Sequence, residues 1–294
     1  MNLSINKLAA ATLLSLAAFS AGTLSAAELK TQVFNPGEAS LFPVTSTLIT
    51  GDTEAVLIDA QFQRNDAQQV LQMIKDSGKE LTTIYISHGD PDFYFGLDVI
   101  TDAYPNAKVV SSASTRAHID KTLQKKVAFW GPILAENAPQ QTVVPEVLQG
   151  DTITIDDEQL KVVGLGGPDP KHTFVWIPTL KTVTGGVLLY ENVHVWMADS
   201  QTADSRALWQ QSLSEMRALK PTRIIPGHFI GKSREDSSTI DFTLNYVAAF
   251  AAAAEQANDS QQLVARMQQL YPNFKNVSDL ELSAKVHKGE MQWP

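Results

Sequence analysis

The chain has 294 residues, 44% of them hydrophobic, with no cysteine and a formal net charge of −9. Its length gives one large or two small domains with a sizeable core, and that hydrophobic fraction excludes a disordered chain. Absence of Cys excludes disulfides, thiolate zinc sites, iron–sulfur clusters and a cysteine nucleophile, and the acidic balance argues against nucleic acid or anionic membranes as partners.

Residues 1–27 read as a secretory signal peptide. Lys7 supplies positive charge, residues 8–21 are an uncharged apolar run, and Ser25-Ala26-Ala27 offers small residues for cleavage after Ala27. The competing reading, an uncleaved anchor, calls for an apolar span of roughly 20 residues. A cleaved leader places the mature chain, from Glu28, in the periplasm or outside the cell.

Short apolar runs then alternate with helical patterns. Residues 46–50 and 55–59 read as strands joined by a Gly51-Asp52 turn. Val70, Leu71 and Ile74 mark a helical face that closes near Ser77-Gly78. Residues 82–87 form a β-branched strand that runs directly into His88. Leu97, Ile100 and Tyr104 give a short helix stopped by Pro105, followed by a strand at 108–110 and a helix over 114–125. From Thr152 the pattern is β-rich, with strands expected at 152–155, 160–163, 173–177, 182–187 and 193–197. Trp209, Leu213, Met216 and Leu219 mark a helix, and Arg223-Ile-Ile225 a last strand ending in Pro226-Gly227-His228. Sheets covered by helices follow, an α/β (α+β) layered domain over 28–232.

The tail, 233–294, is helical. Ile240, Leu244, Val247, Ala251 and Ala254 form one stripe, and Asp259 with Gln262 resembles a helix start. Ser278-Asp-Leu-Glu281 has the pattern of a capping box opening a helix that stops at Gly289. Helical cladding or a homodimer contact is the preferred role over substrate recognition.

Any metal must sit on His, Asp, Glu or backbone oxygens, and the chain has six His: 88, 118, 172, 194, 228 and 287. The informative stretch is Ser87-His-Gly-Asp-Pro-Asp-Phe-Tyr-Phe-Gly96. It follows a strand and precedes a helix, so its side chains gather at a sheet edge. The stretch resembles the signature of the metallo-β-lactamase-fold hydrolase superfamily, His-x-His-x-Asp-His with a Gly after two more residues. The resemblance runs from Ser46 to Phe229 and takes in the Val-Leu-Ile-Asp59 strand and the terminal Pro-Gly-His228. It implies an αββα sandwich with the site where loops converge at one sheet edge. It also implies a divalent ion that lowers the pKa of bound water toward about 7, with a nearby carboxylate to orient that water.

The departures from that signature are specific. Its second His is Asp90 here and its third is Phe93, which cannot ligate. The next ligand position falls on Pro168, and the bridging Asp on Gly186. Only His88, Asp92 and His228 keep their identity, so a dinuclear zinc centre is not expected. A mononuclear site built from His88, Asp90, Asp92 and His228 is the expectation, holding zinc or alternatively iron(II) or manganese. Asp92 either ligates or acts as general base.

His194 and Asp199 are candidates for substrate contacts or replacement ligands, with ordinary strand and turn roles as the plain alternative. Asp92 also suits a helix N-cap and Asp90 a turn. Asp59 reads as a turn residue beside the site, and His172 lies four positions off the lost-ligand register. His118 and His287 read as structural or solvated, and Trp130-Gly-Pro132 as either pocket wall or core. Three functions stay open for a small-molecule partner. The first is a secreted metal-dependent hydrolase of an ester, lactone, thioester or phosphoester. The others are a non-catalytic binding protein on the same scaffold and a mononuclear iron oxidoreductase.

Overall fold

The computed structural model describes residues 28–167 and 169–293, so the expected leader and Pro168 lie outside the described residues. Strand β1 (Lys30–Phe34) leads through β2 (Ser46–Thr50) and β3 (Glu54–Ile58) to helix α1 (Arg64–Ser77), which ends on Gly78 in the left-handed region as expected. Then come β4 (Glu80–Ile86), α2 (Pro91–Tyr94), α3 (Leu97–Ala103), β5 (Lys108–Ser111), α4 (Ala113–Leu134) and β6 (Glu146–Val147). The second half holds β7 (Thr152–Ile155), β8 (Glu158–Val163), β9 (Phe174–Ile177), β10 (Thr182–Thr184), β11 (Tyr190–Glu191), α5 (Ala203–Ala218), β12 (Arg223–Ile224) and β13 (His228–Phe229). Helices α6 (Ser238–Gln256), α7 (Ser260–Leu270) and α8 (Val277–His287) make up the tail.

One sheet runs β1-β2-β3-β4-β5-β6, antiparallel at its first two pairings and parallel from β3 onward. The second runs β12-β10-β9-β8-β7, and β11 pairs with β13 separately. Strand alternation sorts the first sheet's side chains into two layers. Ile49, Val56, Ile58 and Tyr85 face Ile153, Ile155, Leu160, Val162, Val175 and Ile177 of the second sheet. Leu48, Leu57, Ile84 and Ile86 point the other way, into the cluster that holds Val70, Ile74, Leu97 and Ile100 of the covering helices. The expected αββα sandwich is the fold.

Several elements differ from the sequence reading. The strand expected over 182–187 stops at Thr184, because Gly185 and Gly186 turn the chain with φ of +76° and +84°. Residues 193–197 make no ladder. Val193 forms a single bridge to Lys275, and the Met197 amide donates to Ser283 Oγ at 2.9 Å. The tail therefore supplies the partners a neighbouring strand would have given. Helix α4 runs on to Leu134 through Pro132. Helix α8 starts at Val277 behind Asn276, so the Ser278–Glu281 box is not its cap, whereas Asp259 does cap α7 by accepting from the Gln262 amide. Among the described residues no helix is long and apolar enough to cross a membrane.

Candidate functional site

The loops that leave the C-terminal ends of β3 and β4 meet the loop after β10. Asp59, just past β3 with φ +63°, accepts hydrogen bonds from the Ser87 amide at 2.8 Å and from Ser87 Oγ at 2.6 Å. The Gly186 amide donates to the same hydroxyl at 2.7 Å, and Thr173 Oγ1 donates to the Ser87 carbonyl at 3.0 Å. Burial pushes the Asp59 carboxyl up to about 7, against the pull of the Ser87 bonds. Asp59 is thus a clamp across strand ends, which fixes where the next residues emerge.

His88 emerges into a pocket of about 150 Å³ whose walls include Asp90, His118, Lys171, His172 and Asp199. Its ring stacks on His172 with centroids 5.4 Å apart, and its Nδ1 accepts from the Asp90 amide at 3.3 Å. Burial drives its pKa down to about 3, so the imidazole is neutral. His172 is in turn held by Asp169, 2.5 Å from its Nδ1. Asp90 precedes α2 but gives no side-chain cap; its carboxylate turns instead to Lys126 Nζ, 2.7 Å from Oδ1. Burial would raise its pKa, but the Lys126 ammonium and then His88 outweigh this and hold it below the usual carboxylate range.

Asp92 points the other way. Its Oδ2 lies 2.8 Å from His228 Nε2, and both residues are buried. Gly227 brings His228 there, since a Cβ at 227 would collide with the Gly186 carbonyl. The His228 ring stacks on Tyr190 at 4.9 Å, and its Nδ1 is buried without a partner. Phe93, fully buried, stands edge-on to both imidazoles, 5.3 Å from His88 and 5.4 Å from His228.

The four residues expected to share one ion are therefore divided. His88 and Asp90 face the pocket, Asp92 and His228 face each other, and the Phe93 ring stands edge-on to one imidazole of each pair. Among the described residues no group of three or more His, Asp or Glu side chains is placed to hold a metal ion. Lys126 already neutralises Asp90, and the bridging position is Gly186, where a Cβ would collide with the Thr173 carbonyl. This donor set does not fit a resident metal.

The family profile described as "Metallo-beta-lactamase superfamily" matches residues 39–228, ending on His228. The chain belongs to the metallo-beta-lactamase superfamily. A metallo-beta-lactamase type 2 of Bacteroides fragilis is 24% identical over 194 residues, 64% of this chain and 70% of that one. The solved metallo-beta-lactamase from Pontibacter korlensis shares 20% identity with a TM-score of 0.52, covering 75% of this chain and 94% of its own. Metallo-beta-lactamase IND-7 shares 19% with the same TM-score of 0.52, over 75% of this chain and 91% of its own. At that identity the solved structures speak for the fold alone, and the family profile stops short of the tail.

The other expected residues fall on both sides of the superfamily cleft. Asp199 lines the pocket and accepts from Trp196 Nε1 at 2.6 Å and Trp293 Nε1 at 2.9 Å. His194 is away from it, buried beside Tyr246 and Phe274 with its Nδ1 2.9 Å from the Tyr246 hydroxyl. Its place is in the packing of α6, not against a substrate. Trp130 packs on Phe42 and Phe62, and His287 Nε2 lies 2.9 Å from the Met197 carbonyl oxygen. The sequence reading missed His118 and Lys126. The signal available for His118 is Gly89, a residue without a side chain between two polar ones.

Proposed function

We propose that this chain binds a small polar molecule in the cleft lined by His88, Asp90, His118 and His172, and does so without a resident metal ion. The observation that supports the reading is that the two carboxylates expected to share an ion are turned to different partners, Asp90 to Lys126 and Asp92 to His228. Three imidazoles and the Lys171 ammonium line the cleft. They can donate to, or accept from, carbonyl, carboxylate or phosphate oxygens. Deeper in the fold, the paired Asp92 and His228 hold the β13 loop against α2. The leader expected over residues 1–27 supports a place in the periplasm or outside the cell.

The second reading is a metal-dependent hydrolase with a single ion. Superfamily membership and the retained Asp92–His228 pair favour it. Elemental analysis of the full chain purified without chelator separates the two, together with a thermal-shift screen of small carboxylates, lactones, thioesters and phosphodiesters. The binding reading expects less than stoichiometric metal, a ligand-dependent rise in Tm without turnover, and loss of that rise in His88→Ala. Stoichiometric metal that disappears in Asp92→Asn or His228→Ala, with turnover of one of those esters, overturns it in favour of the hydrolase.

A further inference from the structure

We propose that the Lys126 ammonium stands in for the first metal ion of the superfamily centre, a cation fixed to the fold that closes that half of the site to zinc. This rests on the metal-free reading of the cleft. Helix α4 carries His118 and Lys126 eight residues apart on the side that faces the His88–Asp90 loop. Long side chains on a helix lean toward its N-terminus, so Lys126 reaches back to the His118 ring.

The ammonium meets three acceptors: Asp90 Oδ1 at 2.7 Å, the Gly89 carbonyl oxygen at 3.0 Å and His118 Nε2 at 3.2 Å. An ammonium has three protons and no lone pair, so all three are used and none remains for a ligand in the pocket. His118 must then present its lone pair at Nε2 and carry its proton on Nδ1. A carboxylate oxygen, an imidazole lone pair and a carbonyl oxygen are also donors that a divalent ion accepts. His88 Nδ1, which accepts from the Asp90 amide, lies 3.5 Å from the second Asp90 oxygen. Lys126 thus occupies the acceptors that would otherwise be open to a cation.

The close approach is built in at Gly89. A Cβ there would stand 2.7 Å from His118 Cδ2, so only glycine lets the helix histidine lie across the loop and aim at the ammonium. His88, Gly89, Asp90 and His118 line the pocket, whereas Asp92 and His228 do not.

The test is zinc content per full-length chain, measured by elemental analysis after incubation with excess zinc chloride and desalting. Lys126→Met should hold one further zinc relative to wild type, and Lys126→Met combined with Asp90→Asn should lose that gain. Asp90→Asn and His118→Ala alone should leave the wild-type zinc content unchanged. The assignment fails if Lys126→Met takes up no more zinc than wild type, or if wild-type zinc falls in Asp90→Asn or His118→Ala. Where Lys126→Met does not fold, Lys126→Gln takes its place in the same zinc comparison, with the same two outcomes. A wild-type zinc that depends on Asp92 and His228 but on neither Asp90 nor His118 would lie outside the cleft: it would overturn the proposed function in favour of the hydrolase and support this assignment.

Discussion

His118 packs on Gly89 so closely that a single methyl group at residue 89 would stand 2.7 Å from its Cδ2. The φ of Gly89 is not in the left-handed region, so the glycine serves space and not backbone freedom. Gly89→Ala should therefore cost about 1–3 kcal/mol of stability through overpacking. Removing the ring in Gly89→Ala/His118→Ala should recover part of that loss. Urea unfolding of the four members of the cycle measures the coupling, and simple additivity would show that ring and glycine are independent.

Lys126 and Asp90 form a partly buried pair at 2.7 Å. Lys126→Met strips Asp90 of its counter-charge and should destabilise the chain by about 3 kcal/mol in metal-free buffer. Adding Asp90→Asn should recover some of this, because a neutral amide suits the site better than an unpaired carboxylate. Equal unfolding midpoints for wild type and Lys126→Met would show that the ion pair is worth little here.

Phe93 and Gly186 occupy two lost ligand positions of the superfamily with opposite prospects for restoration. Phe93→His sets an imidazole beside Asp92 and His228, so the full chain should gain zinc, and His228→Ala should remove the gain. Gly186→Asp cannot work the same way. The residue has φ +84° and its Cβ would collide with the Thr173 carbonyl. That variant should be insoluble or markedly less stable, by on the order of 2–4 kcal/mol. A soluble, zinc-loaded Gly186→Asp chain would contradict the collision.

Much of this arrangement was legible in the sequence. β-branched runs and Gly78 at a helix end announce their elements locally, and a histidine directly after a strand is positioned by that strand. Lys126 was not legible, because which side of α4 meets the His88 loop depends on how a helix crosses a sheet, not on its own periodicity. Residues 193–197 alternate like a strand, yet their backbone partners come from Lys275 and Ser283, some eighty residues away in sequence. Nor did three potential ligands within a short motif reveal that Asp90 would turn to Lys126 and Asp92 to His228.

Asp279, in the first turn of α8, supplies a pH test. Burial raises its carboxyl to about 7, Asp92 adds to the rise, and His228 opposes it. In the unfolded chain it titrates near its ordinary 3.8, so between the two values the folded state holds the extra proton. Stability from this group is present below about 4 and is lost as pH rises toward about 7, with an upper bound of roughly 4 kcal/mol. Asp279→Asn should flatten that decline and be the more stable protein at pH 8. Parallel urea midpoints for the two chains across pH 4.5 to 8 would rule the effect out.

The tail helices share one apolar cluster with the sandwich: Ile240, Tyr246, Phe250 and Leu280 lie in it beside Leu57, Ile84 and Trp209. Backbone and side chain also cross between them, with the Tyr190 amide donating to Thr243 Oγ1 at 3.2 Å and the His194 amide to the Lys275 carbonyl at 2.9 Å. The change of composition near residue 233 is thus not a seam along which the molecule can part. The sandwich half ends with apolar surface that only the last sixty residues cover. A chain interrupted at 233 should therefore expose that surface to water and lose the apolar contacts that close this side of the core.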